Sequence, residues 1–366
     1  MDYAEFLRQK VHLTGSFGFD PVWMPDCAFD FQSHVITKAV RKGRIGLFED
    51  TGLGKTLQQL AIAENIIRHT NKRVLILTPL AVAFQFIDEA SRIGVGDIEH
   101  IRDSRMSKKI VVCNYERLHL LNADDFVCVM LDESSILKNF AGKTRDQVIA
   151  FIKRVPYRFL STATPSPNDF IELGNSSEAL GYMGYMDMLT KFFKSNQGSV
   201  DSNNRNIGEK FYLKPHAERD FFAWVNQWSV MVKKPSDLGF KDEGYDLPEL
   251  KVNQHMVNND DTWCIDGQSA LFAMPAKTMT EVREEQKLTV MKRCERAVTL
   301  ADKKTSVYWC NLNEESSLLS ELDRDAVEII GGMSIDKKEE ILVAFARGEI
   351  KRLITKAKMT SMGLNW

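Results

Sequence analysis

Short apolar runs punctuate the first half of the chain: Ile45–Phe48, Val74–Thr78, Ile110–Cys113, Val127–Leu131 and Arg158–Ser161. They are rich in branched side chains and lack strict apolar–polar alternation, the pattern of strands covered on both faces of a parallel sheet. Between the first two lies TLQQLAIAENIIRHT, where Leu57, Leu60, Ala63 and Ile67 recur at helical spacing and put an apolar stripe on one side of a helix. Strands alternating with helices predict a doubly wound α/β layer over residues 26–170, after a loosely structured lead-in at 1–25.

The pattern changes after Phe170. Helical periodicity dominates to about Leu250, interrupted by the polar stretch SNQGSVDSNNRN. In FFAWVNQW, Phe221, Trp224, Val225 and Trp228 follow helical spacing and read as core rather than as a base-stacking surface. The Pro- and Gly-containing KPSDLGFKDEGYDLPEL reads as a passage between domains, so 171–280 is taken as a helical insertion and linker. A second α/β pattern fills 281–366: a long helix, the runs SVYWC, AVEII and RLIT, and a helix around Lys337–Arg347. No internal repeat is visible.

Composition alters this picture little. Apolar residues at 44% and charged residues at 27% of 366 are those of an ordinary globular protein, and a net charge of −2 says nothing about partners, since nucleic-acid binding needs only a local basic stripe. No run is long and apolar enough to span a bilayer, and the early acids of MDYAEFLRQKVHLTGSFGF exclude a signal peptide. The six cysteines include no C-x-x-C pair, and Cys113, Cys128 and Cys310 sit in apolar runs. A reduced, intracellular protein without a zinc site is expected, in a bacterial or phage-infected cytoplasm.

The chemistry concentrates at two strand ends. FEDTGLGKT lies between a strand and a helix, where a glycine-rich turn leaves backbone N–H groups free to surround phosphate oxygens. Thr51, Gly52, Leu53, Gly54, Lys55 and Thr56 form this candidate P-loop, with Lys55 reaching the β- and γ-phosphates and the Thr56 hydroxyl binding Mg²⁺. Glu49 stands where the generic loop has glycine. In VCVMLDESS an apolar strand ends in two acids: Asp132 is a candidate metal ligand, and Glu133 can polarise an attacking water.

These segments, in their order, resemble the motifs of superfamily 2 helicases, closest to the Swi/Snf-like DNA translocases and their phage-encoded relatives. FDFQSHVITKAV is similar to the family's adenine-reading glutamine segment and nominates Gln32; EDTGLGKT is similar to its acid-rich P-loop. TPLAVAFQF and VVCNYERL resemble segments that touch the nucleic-acid backbone, implicating Thr78, Pro79, Asn114 and Tyr115. DESSILKN matches the acidic box, and STATPSPN the motif that couples nucleotide state to movement, with Ser161, Thr162, Ala163, Thr164, Pro165 and Asn168 in register. WCNLNEES and ITKAKMTSMGLNW resemble two motifs of the second lobe, the latter nominating Gly363 for nucleic-acid contact. The resemblance covers about residues 25–366. It implies tandem RecA-like lobes, ATP and Mg²⁺ as ligands, and nucleic-acid-stimulated ATP hydrolysis that drives lobe closure along DNA, duplex favoured and single strands allowed.

Two departures stand out. Ser134 and Ser135 replace the small residue and histidine that often follow the acids in the family. The arginine-rich motif that follows the GLN segment in family members is not reached before Trp366, so an incomplete second lobe and a fragment of a longer protein are expected. Two alternatives remain open: an ATP-switched module that binds DNA or a protein with little turnover, and an RNA-directed helicase. The ordered Thr-Pro, DESS and STAT segments disfavour an unrelated P-loop kinase or GTPase.

Overall fold

The computed structural model describes residues 16–80, 82–138, 143–196, 211–245, 249–257, 264–265, 268–269, 278–302 and 304–357. Gly363, Asn139 and most of the polar stretch after Ser195 lie outside the described residues. The chain divides into two compact units, Met1–Asp246 and Leu247–Trp366.

The first unit is built on a seven-stranded sheet in the order β3-β4-β2-β5-β6-β1-β9. Its strands are β1 (Arg44–Glu49), β2 (Val74–Thr78), β3 (Ile98–His100), β4 (Ile110–Asn114), β5 (Cys128–Asp132), β6 (Tyr157–Ser161) and β9 (Ser229–Val232), and every pairing is parallel. β2, β4 and β5 are buried at every residue, the reason their sequences run apolar without alternation. The helices of this unit are α1 (Asp30–Lys42), α2 (Lys55–Thr70), α3 (Ala83–Arg92), α4 (Lys143–Ile152), α5 (Leu173–Leu180), α6 (Tyr185–Phe192) and α7 (Glu218–Trp228). β7 (Phe193–Ser195) and β8 (Phe211–Leu213) form a separate antiparallel pair.

α2 is buried on far more than the expected stripe. Gln58, Gln59 and Asn65 are buried along with Leu57, Leu60, Ala63 and Ile67. Each polar side chain has a specific acceptor or donor; Asn65, for instance, accepts from the backbone N–H groups of Val22 and Trp23 at 2.7 and 2.9 Å. The described end of the lead-in is thereby fastened to α2, and Phe19 stacks on His69 with ring centroids 3.8 Å apart.

The boundary expected at residue 170 is not where the chain divides. α7 turns Phe221, Trp224, Val225 and Trp228 into the core, as their spacing predicts, and Trp228 meets Phe48 of β1 edge-on at 6.0 Å. β9 follows at once and pairs with β1, Gly46 opposite Ser229. Residues 171–246 therefore complete the first unit's sheet and core, and the Pro/Gly-rich passage supplies the actual division.

The second unit contains β10 (Cys264–Ile265) paired with β11 (Gln268–Ser269), then α8 (Met279–Leu288), α9 (Val290–Ala301), β12 (Ser306–Trp309), α10 (Asn313–Leu322), β13 (Val327–Glu328), α11 (Ile335–Ala346) and β14 (Arg352–Thr355). Its parallel sheet has the order β12-β14-β13. Cys294, Tyr308, Cys310, Leu319 and Ile354 form a small core. Ser334 caps α11 by accepting from Lys337 N at 3.3 Å. No helix among the described residues is long and apolar enough to cross a membrane.

Candidate functional site

The two chemistry-bearing segments meet at the carboxyl end of the first unit's sheet. β6 lies between β1 and β5, with Ser161 in register with Leu47 on one side and Asp132 on the other. The loop after β1 and the acids after β5 are therefore two strand spacings apart, about 10 Å, on one edge.

The phosphate-loop candidate has the backbone its glycines predict. Gly52 and Gly54 have φ of 83° and 81°. A Cβ on Gly54 would meet the Gln32 amide, which would have to shift, and the positive φ strains any side chain there. Gly54 is also the N-cap of α2, and no side chain caps that terminus. Uncapped N–H groups at a helix start carry partial positive charge and suit an anion. Lys55 Nζ donates to the carbonyls of Glu49 at 2.9 Å and Asp50 at 2.8 Å, folding its charge over the loop. Thr51 is exposed and its N–H bonds Asp50 Oδ1 at 2.7 Å; Leu53 is buried; Thr56 is half-buried on the first turn of α2.

Gln32 is placed against this loop, but its amide is engaged within the protein. Its Oε1 accepts from Phe29 N at 3.1 Å and its Nε2 donates to Leu53 O at 3.2 Å. Its contribution in this arrangement is to hold the loop. Glu49, at the position where glycine is usual, is fully buried beneath the loop; its Oε2 accepts from Gln58 Nε2 at 2.9 Å. Burial pushes its carboxyl up to about 7, against the lowering effect of the Gln58 bond and the Lys55 charge.

At the other strand end Asp132 is 7% exposed, and its Oδ1 accepts from Gln59 Nε2 at 2.8 Å. Gln59 lies one turn after Lys55 on α2, so the helix that starts at the loop reaches the first acid directly. Burial raises Asp132 to about 7; the neighbouring Glu133 raises it too, while the Gln59 bond and Lys55 lower it. Glu133 has φ of +53°, a left-handed conformation that is uncommon for a non-glycine residue and costs on the order of 1 kcal/mol or more. Its Oε2 accepts from Thr162 Oγ1 at 3.1 Å, and Thr164 N donates to the same hydroxyl at 3.1 Å. Ser161, Thr162, Ala163 and Thr164 thus lead from the end of β6 directly to the second acid. Ser134 and Ser135 are buried beside it.

The residues expected at nucleic acid are placed differently. Thr78 and Asn114 are fully buried and Tyr115 is 6% exposed. Asn114 Nδ2 donates to Pro79 O at 3.2 Å, and Tyr115 OH donates to Asp132 O at 2.7 Å. Their side chains are buried at the ends of β2 and β4, each of which has a strand on both sides, so in this arrangement they are not presented to solvent. Among the described residues of this group only Pro79 is half-exposed.

The sequence does not single out Gln58 or Gln59, and marks Glu49 only as the acid standing where glycine is usual. Gln59, four residues after Lys55, carries a signal in its helical spacing; burial of Glu49 carries none. Among the described residues no cluster of three or more His, Cys, Asp or Glu side chains could hold a metal by itself. A metal here would share its coordination with the ligand and with few protein groups, Thr56 and Asp132 being those at hand. The donor set fits a metal-bound polyphosphate. It combines an uncapped helix start, a lysine, a hydroxyl and two acids, and the Thr78, Ser134 and Ser161 hydroxyls are buried without a protein partner along the same edge.

No family model matches the chain. It is 28% identical over 154 residues to the SWI/SNF-related matrix-associated actin-dependent regulator of chromatin subfamily A-like protein 1 of Xenopus tropicalis, and 27% identical to that of Xenopus laevis. Each match covers 39% of this chain and 16% of the relative, so the chain spans a small part of these proteins. Among solved structures, the Sulfolobus solfataricus SWI2/SNF2 ATPase core in complex with dsDNA aligns over 92% of this chain and 80% of its own at 15% identity, TM-score 0.48. The UvsW helicase of bacteriophage T4 aligns over 50% of this chain and 66% of its own at 16% identity, TM-score 0.36. Over the matched 39% of its length the chain is thus similar to Swi/Snf-related proteins.

Proposed function

We propose that the chain is an ATP-hydrolysing motor that moves on DNA, with duplex the favoured track. The observation that carries this reading is the convergence of Lys55, Asp132 and Glu133 on one sheet edge, cross-linked by Gln59 and Thr162. The glycine turn, the start of α2 and Lys55 hold the triphosphate, and Thr56 and Asp132 hold Mg²⁺, which when bound neutralises phosphate charge. Glu133, oriented by Thr162, positions and polarises the water that attacks the terminal phosphorus, and ADP leaves. Thr162 then serves as the sensor, because its hydroxyl joins the second acid to the segment that the resemblance assigns to coupling.

DNA as the track is supported by the order of the motifs and by the likeness to Swi/Snf-related proteins. Contacts made mainly to phosphates predict little sequence preference and weakening by salt. Steady-state ATP turnover with no nucleic acid, duplex DNA, single-stranded DNA and RNA tests the reading. Stimulation by duplex DNA is expected. Stimulation by RNA alone would assign the chain to RNA instead, and ATP binding without turnover under every condition would leave a nucleotide-switched binding module in its place.

A further inference from the structure

Tyr115 opens the short helical turn Tyr115–Leu120 directly after β4. Its hydroxyl donates 2.7 Å to the backbone carbonyl of Asp132, at the end of β5. β4 and β5 are not neighbours, since β2 lies between them. The side chain therefore reaches over the end of β2, across about 10 Å of sheet. Beside it, Asn114 Nδ2 donates to Pro79 O at 3.2 Å, and Asn114 Oδ1 accepts from Arg117 Nη1 at 2.8 Å. The ends of β2, β4 and β5 are thus tied together by the two residues whose sequence context points outward, to nucleic acid.

We propose that Tyr115 is a positioning residue for the acidic pair, acting through the backbone of Asp132; this rests on the ATP-site reading above. A buried tyrosine hydroxyl needs some acceptor, and any nearby carbonyl would satisfy it. The acceptor here belongs to the peptide that joins Asp132 to Glu133, and Glu133 is the residue held at φ of +53°. A left-handed non-glycine conformation persists only where its surroundings fix it. The Ile136 N–H donates to the Glu133 carbonyl at 3.2 Å, and two side chains add to this: the Tyr115 hydroxyl on the incoming backbone and the Thr162 hydroxyl on the outgoing carboxylate. Removing the Tyr115 hydroxyl lets the peptide rotate and moves the Glu133 carboxylate, while Lys55, the glycine turn and α2 stay in place. A shift of about 1 Å at such a group is worth up to roughly a hundredfold in rate. Binding of the triphosphate, which depends on the loop, is unaffected.

Tyr115→Phe keeps the ring and its packing and deletes only the donor. Three quantities are measured on wild type and variant: kcat for ATP, equilibrium affinity for a fluorescent ATP analogue with Mg²⁺, and affinity for duplex DNA. The expected result is a kcat lowered roughly tenfold to a hundredfold, with both affinities within about twofold of wild type; because a bound nucleotide reports a folded site, the loss in kcat is then counted per folded molecule. A kcat within twofold of wild type overturns the proposal, as does a fall that only tracks the unfolded fraction. A fall in DNA affinity matching the fall in kcat overturns it in favour of direct contact with nucleic acid. Wild type that binds no nucleotide removes the ATP-site reading itself, whereas active wild type with an indifferent Tyr115→Phe removes this inference alone.

Discussion

At the amino end of the seven-stranded sheet two guanidinium groups, Arg44 and Arg158, lie side by side, and backbone carbonyls hold them although burial and the Arg44 charge push Arg158 down to about 10. Arg158 donates from Nε to Val155 O at 2.8 Å, from Nη1 to Ala179 O at 3.2 Å and from Nη2 to Lys153 O at 2.6 Å. Arg44 Nε donates to Pro156 O at 2.9 Å, its guanidinium sits 4.1 Å over the Phe17 ring, and Tyr182 OH bonds its carbonyl at 2.8 Å. Gly181, at φ of +85°, leaves the space the pair needs: a Cβ there would lie 2.8 Å from Arg158 Nη1. At the carboxyl end, by contrast, buried acids, amides and hydroxyls line the strand ends with atoms left unpartnered, two glycines and one glutamate take left-handed backbone, and two carboxyls are pushed up to about 7. An unsatisfied buried polar atom costs roughly 1–3 kcal/mol. The arginine end is therefore a hydrogen-bonded brace, and the other end holds buried unpartnered atoms and strained backbone that stability alone does not favour.

The comparison can be broken from either side. Lys55→Ala has the largest expected effect: a loss of ATP turnover of about a hundredfold to a thousandfold, with the unfolding midpoint little changed, measured by steady-state hydrolysis and thermal melting. Arg158→Met at the opposite end should do the reverse. It leaves the carbonyls of Val155, Ala179 and Lys153 without their donor, a loss only partly offset by relief of the repulsion from Arg44, and lowers stability by about 2–4 kcal/mol in denaturant titration; unchanged stability would deny that this end is the structural one. Gly54→Ala forces a left-handed alanine against Gln32 and should lower stability by about 1–2 kcal/mol, and ATP-analogue affinity by about tenfold.

The smallest effect is the pH response of Glu49. Its folded pKa of about 7 lies above the ordinary 4.5, so the folded chain holds a proton that the unfolded chain releases. The stability that this proton represents is complete below the unfolded value and is lost as pH rises through about 7. Wild type should therefore lose stability relative to Glu49→Gln between about pH 5.5 and 8, by up to about 1.4 kcal/mol per pH unit at the steepest point. Denaturant titrations at the two pH values measure it, and a wild-type advantage that grows with pH would reverse the sign and sink the assignment.

Much of this contrast is legible in the order of the amino acids alone. The buried strands show themselves as unbroken apolar runs, and β2 and β14 begin and end where the runs VLILT and RLIT do. The loop and the acids are legible because Gly52, Gly54, Lys55, Asp132 and Glu133 are types whose conformation or charge constrains where they fit. Three things are hidden. β9 is four residues long and follows an aromatic helix, so SVMV resembles the helix's tail and a unit boundary placed at residue 170 falls too early. Gln58, Gln59 and Glu49 are polar by type, and only three-dimensional pairing shows that they are buried. Asn114 and Tyr115 carry a motif's letters but not its direction, because side-chain orientation at a strand end depends on which strands lie on either side.

The central claim is that the lysine-bearing loop and the acids of β5 form one ATP-hydrolysing site, and Glu133→Gln tests it most directly. Turnover and equilibrium affinity for an ATP analogue are measured together. Turnover lower by about a hundredfold or more, with affinity within about threefold of wild type, is the predicted result; turnover equal to wild type would contradict it.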